Sequence, residues 1–275
     1  MDEIISYYNE FDEWGRLERE PIEFKVNWHY IKKYLPEDGH VLDNGAGPGK
    51  YSMELAKEGY TVTLSDLTPR LVELARSKAN EMNLNGQFND FLVSDAKELS
   101  MLEEDQFDAS LMLGPMYHLQ DENDRMQAIK ELYRVTKKGG MIFAAFMPRV
   151  RHIFNSLLNP EHWKPNNRME SIIEFSKTGC FNHSDKGRFT GAYYFNIEDI
   201  KPFMESHGFE TVELLGSNVG AFLNQDSWDY WKEKGDADAL INLMIDKATD
   251  PYILGISTHL LYIGKKKIGF YSESQ

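Results

Sequence analysis

The residues of this chain with the most informative spacing are three aspartates and a glycine loop. Asn44-Gly45-Ala46-Gly47-Pro48-Gly49 directly follows Asp43, and Asp66 and Asp95 each close a later short apolar run. In an open parallel sheet ligands sit at the carboxyl ends of the strands, so all three acids should line one crevice. The glycines are spaced G-x-G-x-G. A dinucleotide fingerprint needs a small residue where Lys50 stands, which argues against a pyrophosphate cradle, and no P-loop string follows any strand. A nucleoside ligand with little negative charge remains. Asp66 is placed to accept hydrogen bonds from two ribose hydroxyls and Asp95 from an exocyclic amine, because a carboxylate offers two acceptor oxygens. Tyr117 and His118 follow the fourth apolar run, where either can serve as a general base or a hydrogen-bond donor.

Each of these residues also has a plainer use. Aspartates at strand-to-helix junctions commonly cap turns and helices, a histidine can lie on the surface and a tyrosine can simply pack. Cys180 is the single cysteine, which excludes an intrachain disulfide and any multi-cysteine metal centre. His152, His162 and His183 match no ligand spacing on a helix or hairpin, so no metal is expected.

The elements that must position the acids follow from the alternation of apolar runs with amphipathic stretches. Strands are predicted at 40–43, 60–65, 88–94, 107–113 and 141–146, and helices at 50–58, from 69 onward and at 122–136. Thr68 is a candidate N-cap ahead of Pro69, and Lys137-Lys138-Gly139-Gly140 reads as a helix end, with cations at the negative pole and then glycines. Beyond residue 146 the rhythm breaks. A helix resumes near residue 197, and segments 209–215 and 253–263 alternate like strands, with a helix at 238–247 between them. The expected fold is a doubly wound, mostly parallel seven-stranded α/β sheet in one domain spanning 1–275. Residues 1–35 form an N-terminal helical cap, 36–146 the ligand-binding core, and 147–195 and 218–250 substrate-covering insertions. Residues 1–35 are too aromatic for a solvated tail and are expected to dock on the sheet, and the aromatics of 151–195 are suited either to wall a pocket or to fill the insertion's own core.

Composition narrows the function further. The 275 residues carry a formal charge of -14, a field that repels nucleic acid and anionic membrane and attracts cations. No run approaches a membrane span and the amino terminus lacks a basic segment followed by an apolar one, so the expected location is cytoplasmic.

Five motifs in order carry a family resemblance: Val41 to Gly49, Leu64-Ser65-Asp66-Leu67, Val93-Ser94-Asp95-Ala96, Phe107 to Leu113 and Leu132 to Gly140. Together they resemble the class I S-adenosylmethionine-dependent methyltransferases over about residues 38–147. Tyr7 to Leu17 and Leu113 to Leu119 are similar to a bacterial small-molecule, type 11-like subgroup. The resemblance implies a Rossmann-like fold and S-adenosylmethionine as cofactor. It implies Asp43 near the amino group of the methionine moiety, Gly45 and Gly47 as backbone contacts, Asp66 on the ribose and Asp95 with Ala96 at the adenine. Tyr8, Asn44, Leu67 and Leu113 complete the expected cofactor contacts, and the cofactor carboxylate is held either by Arg16 as a bidentate clamp, if the N-terminal helix folds over the site, or by backbone amides of the glycine loop alone. His118 and Tyr117 become the candidate catalytic residues, although in-line methyl transfer can proceed by alignment alone. The expected partner is a small-molecule acceptor. Alternatives are a non-catalytic S-adenosylmethionine-binding regulator or scaffold and, disfavoured by Lys50, a nicotinamide-dependent oxidoreductase.

Overall fold

The computed structural model of the chain describes residues 2–19, 21–218 and 225–269. Three helices come first, α1 (Asp2–Glu10), α2 (Glu13–Arg19) and α3 (Pro21–Tyr34), followed by β1 (His40–Asn44), α4 (Lys50–Lys57), β2 (Thr61–Asp66), α5 (Pro69–Glu81), β3 (Phe88–Val93), β4 (Phe107–Met112), α6 (Glu122–Val135) and β5 (Thr136–Phe146). An inserted layer holds α7 (Arg149–Leu158), α8 (Met169–Thr178), β6 (Cys180–Phe181) and β7 (Ala192–Tyr193). The chain then returns through α9 (Ile197–Ser206), β8 (Phe209–Gly216), α10 (Gln225–Glu233), α11 (Ala237–Lys247), α12 (Pro251–Ile256) and β9 (Leu260–Lys266).

The sheet has seven strands in the order β3-β2-β1-β4-β5-β9-β8, the first five parallel and β9 antiparallel to both of its neighbours. Strand order reverses between β1 and β4, which opens a crevice at their carboxyl ends. Val41, Leu42, Ala109 and Leu111 are fully buried, because helices cover both faces. On one face Val26 and Ile31 of α3, Leu55 of α4 and Ile241 of α11 pack together, and on the other Ile129 and Leu132 of α6 meet Ile200 and Met204 of α9. Phe175, Phe181 and Tyr194 form a core for the insertion and pack onto Tyr117 and Met147. Of the cap and the two insertions expected from sequence, residues 1 and 20 of the cap and 219–224 of the second insertion lie outside the described residues.

Three local expectations are corrected. Lys137 to Gly140 do not end a helix: α6 stops at Val135 and β5 begins at Thr136. Thr136 Oγ1 bonds back to Leu132 O at 2.7 Å, and Gly139, at φ +75°, lets the strand start irregularly while Lys137 reaches Asp108 Oδ1 at 2.7 Å. Residues 253–259 are not strand. Asp250 accepts from Tyr252 N at 2.9 Å and Pro251 occupies the first helical position, so α12 forms and pairing waits for Leu260 opposite Phe146. Thr68 stands at the N-cap of α5 but makes no side-chain cap bond; its amide donates to Asp66 Oδ1 at 2.8 Å instead.

Candidate functional site

At the strand-order reversal lies a cavity of about 460 Å³, within the usual range of small-molecule sites. The glycine loop forms its floor, and the glycines do different work. A Cβ on Gly45 (φ +73°) would overlap the ring of Pro115, so this glycine lets the loop after β1 and the turn after β4 touch. A Cβ on Gly49 would strike Leu64 Cδ1 and crowd Ala75, which places Gly49 at the contact of α4 with β2 and α5. Gly47 (φ +56°) has nothing closer than Glu13 Cγ at 3.7 Å; its open face belongs to the cavity. Trp14 of α2 and Ala46 both pack against the cluster of Met53, Leu64 and Ala75, and the Lys50 ammonium lies 5.2 Å from the Trp14 ring, which docks the N-terminal segment beside the loop.

Both buried aspartates hold backbone and line the cavity at once. Asp66 Oδ2 accepts from Gly47 N and Oδ1 from Thr68 N, each at 2.8 Å. Asp43 accepts from Ser52 Oγ at 2.6 Å. Burial, offset in part by Ser52 and reinforced by the charge of Asp66, pushes the Asp43 carboxyl up to about 6. Burial also raises Asp66, opposed by the amides of Thr68 and Gly47. Asp95 Oδ1 accepts from Lys97 N at 3.0 Å at the end of β3. Asn44 Nδ2, Ser94 Oγ and His118 Nδ1 line the same cavity and are buried without a hydrogen-bond partner among the described residues. Two buried acids, the half-buried Asp95 and unpaired polar atoms around an open glycine suit a ligand that carries cationic and hydroxyl groups.

A second cavity of about 490 Å³ adjoins the first, and Tyr8, Glu13, Arg16, Glu23 and Tyr117 line both. Tyr7, Phe11, Trp163, Phe189, Tyr194 and Trp228 contribute flat apolar walls to it. The Arg16 guanidinium is shared between Glu13 at 2.8 Å and Glu23 at 3.3 Å. Tyr8 Oη and His118 Nε2 are 2.8 Å apart, and Tyr117 Oη donates to Leu113 O at 3.1 Å. Burial, then the neighbouring His259, depresses His118 to about 4, so its imidazole is neutral at neutral pH; burial raises the Tyr117 phenol.

Every site residue named from the sequence lines the first cavity: Tyr8, Arg16, Asp43, Asn44, Gly45, Gly47, Asp66, Leu67, Asp95, Ala96, Leu113, Tyr117 and His118. Sequence reasoning missed Glu13, Glu23 and Ser94 there, and His152, Thr258 and His259 in the second cavity. Ser94 lies inside the third motif and Glu13 inside the segment Tyr7 to Leu17, while Glu23, His152, Thr258 and His259 stand in no spaced motif. His152 reads as a lone histidine, and His259 reaches the site only because α12 interrupts the segment that the alternation assigns to strand.

Residues 41–140 match the family model described as a methyltransferase domain. The chain is 29% identical over 142 residues to YqeM of Bacillus subtilis (strain 168), a match over 51% of this chain and 50% of that protein, so it spans half of YqeM's length. It is 24% identical over 204 residues to a ubiquinone biosynthesis O-methyltransferase of Coxiella burnetii (strain Dugway 5J108-111), covering 73% of this chain and 76% of the relative. Among solved structures, a SAM-dependent methyltransferase from Methanosarcina mazei superposes with a TM-score of 0.58 at 22% identity, over 87% of this chain and 97% of that one.

Proposed function

Since residues 41–140 are a methyltransferase domain in the S-adenosylmethionine-dependent fold, we propose that this chain transfers a methyl group from S-adenosylmethionine to a small-molecule acceptor. The observation that carries the reading is the meeting of two cavities at shared residues. One is lined by strand-end acids and the open Gly47, the other by aromatic walls, and Tyr8, Arg16 and Tyr117 stand between them. The cofactor supplies a methyl group activated on a sulfonium cation.

The residues present suit that cofactor. Asp43 faces the ammonium of the methionine moiety, which stabilises the buried carboxylate in its ionised form. Asp66 keeps lone pairs for the ribose hydroxyls beyond those taken by Gly47 and Thr68, and Asn44, Leu67 and Gly45 complete that wall. Asp95 with Ala96 borders the adenine, near the unpaired Ser94 hydroxyl. A ligand carboxylate would share the Arg16 guanidinium with Glu13 and Glu23, so amides of the loop and of the start of α4 assist it. Leu113 and the Tyr117 ring border the place where the two cavities meet. With His118 neutral and in contact with the Tyr8 hydroxyl, this pair orients by hydrogen bonding and seals the site rather than removing a proton. The formal charge of -14 and the aromatic walls of the second cavity favour a small molecule over a nucleic acid.

Calorimetry with S-adenosylmethionine, S-adenosylhomocysteine and NAD tests the cofactor. Micromolar binding of both adenosyl ligands with no heat from NAD is expected, and NAD binding alone would overturn the reading. Label passing from methyl-labelled cofactor into small metabolites of a cell extract, but not into its RNA or protein, tests the acceptor class.

A further inference from the structure

The second cavity holds a carboxylate-imidazole pair that the assignments above leave unused. His259 lies on the loop that enters β9, and its carbonyl accepts from Ser217 N at 3.0 Å and Ser217 Oγ at 3.1 Å, which fixes the loop. His259 Nδ1 stands 3.2 Å from Glu23 Oε2, a contact off the line of a hydrogen bond. The same oxygen receives Asn218 Nδ2 at 3.2 Å and Arg16 at 3.3 Å. Burial alone would raise Glu23, but His259 and Arg16 outweigh it and hold the carboxyl well below the usual carboxylate range. Glu23 is therefore ionised at neutral pH. A carboxylate against Nδ1 favours the tautomer with its proton on that nitrogen, which leaves Nε2 as the proton acceptor.

The groups around His259 are Glu23 from α3, Arg16 from α2, and Tyr117 and His118 from the turn after β4, with the Tyr117 ring centroid 5.6 Å from its own. Since Tyr117 lines both cavities, His259 sits beside their boundary. Burial takes His118 to about 4 and His152 to about 3, so both imidazoles are neutral at neutral pH. The walls state what fits against His259. Flat rings of Trp163, Phe189 and Tyr194 accept a planar molecule, and His152 Nε2 and Thr258 Oγ1, buried without hydrogen-bond partners among the described residues, offer polar anchors at its rim.

We propose that His259 is the general base of this site, with Glu23 as its positioning residue, and that the acceptor is a planar aromatic or heteroaromatic molecule bearing an ionisable ring hydroxyl. The proposal rests on the methyl-transfer reading above. His259 Nε2 takes the hydroxyl proton, and the oxygen lone pair so released forms the bond to the methyl carbon. The carbon-sulfur bond breaks with its electron pair going to sulfur, which gives a methyl ether and a neutral thioether. The proton then leaves His259 for solvent. Glu23 keeps the imidazole turned and stabilises the imidazolium formed in the step.

The probe is 4-nitrophenol, whose absorption differs between phenol and phenolate, added at mildly acid pH to the full chain saturated with S-adenosylhomocysteine. In the wild-type protein the bound probe should show the phenolate band, and in His259→Asn that band should be lost while calorimetry finds S-adenosylhomocysteine affinity unchanged. Glu23→Gln should move the appearance of the band to higher pH, a shift that a merely structural role would not cause. A phenolate band that persists in His259→Asn overturns the base assignment. Failure of the probe to bind a chain that does bind S-adenosylhomocysteine overturns the acceptor class. Failure of the wild-type chain to bind S-adenosylhomocysteine overturns the methyl-transfer reading instead. Should His259→Asn lose S-adenosylhomocysteine binding, the wild-type chain with 15N-labelled histidine decides. A His259 resonance that moves to the imidazolium position on adding 4-nitrophenol supports the proposal, and one that stays overturns it.

Discussion

At the scale of single residues, the buried aspartates lead to two expected outcomes. Asp66 has a structural duty as well as its proposed ligand contacts, since Gly47 N and Thr68 N both donate to it. Asp66→Ala should weaken S-adenosylhomocysteine by about 1.5–3 kcal/mol, the range for hydrogen bonds to a charged group, and lower stability by about 1–3 kcal/mol for the donors left behind. Calorimetry and denaturant melts separate the two, and normal affinity would remove Asp66 from the ribose. Asp43 yields a pH dependence. In the free protein its carboxyl sits near 6, above its ordinary value, so ionised Asp43 is a cost to the fold that is absent at low pH and complete once pH exceeds about 6. A ligand ammonium favours the ionised form and pulls that value down, so binding releases a proton at mildly acid pH. Affinity for S-adenosylhomocysteine should therefore rise with pH up to about 6 and level off above it. Asp43→Asn should be weaker and flat over the same range; a wild-type profile without this slope would place the ammonium elsewhere.

At the scale of elements, the glycine loop separates packing from ligand approach. Gly45 and Gly47 both have left-handed φ, a conformation that costs an L-residue about 1–2 kcal/mol. Only at Gly45 would a Cβ also collide with a neighbouring ring, that of Pro115. Gly45→Ala should then destabilise the protein more than Gly47→Ala, by about 1–3 kcal/mol of overpacking added to the backbone strain. Gly47→Ala should show the larger loss of S-adenosylhomocysteine affinity relative to its loss of stability. Melting temperatures beside binding constants check the pair, and equal stability losses would deny that Gly45 serves the contact between the two loops.

At the scale of the whole molecule, the two segments outside the sheet meet over the first cavity. Tyr7 of α1 lies with its ring centroid 6.0 Å from Phe189 of the insertion, Phe189 lies 5.2 Å from His118, and Ile4 packs beside Gly191. Loops that close over ligands come from the less stable parts of a fold, and closure that excludes water strengthens the electrostatics inside. S-adenosylhomocysteine should accordingly raise amide hydrogen-exchange protection in the described parts of 1–35 and 147–195. Protection confined to residues 41–118 would make these aromatics ordinary core and leave Arg16 a structural bridge between two glutamates.

What the sequence determined by itself is local and periodic. Alternation placed the strands from 40 to 146, and the spacing of Asp43, Asp66 and Asp95 against the glycines put them at adjoining strand ends, because a parallel sheet brings equivalent ends together whatever the intervening helices contain. The same logic erred where a local pattern met a tertiary demand. Lys137 to Gly140 have the composition of a helix end, yet pairing beside β4 drew them into β5, and Asp250 with Pro251 started a helix inside an apolar run. Only the tertiary structure could decide that Arg16 is held by Glu13 and Glu23, and that Glu23 and His259, from opposite ends of the chain, meet beside the second cavity. Contacts of that kind leave no period in the sequence, since they depend on how α2 and α3 and the turn before β9 pack around the finished sheet.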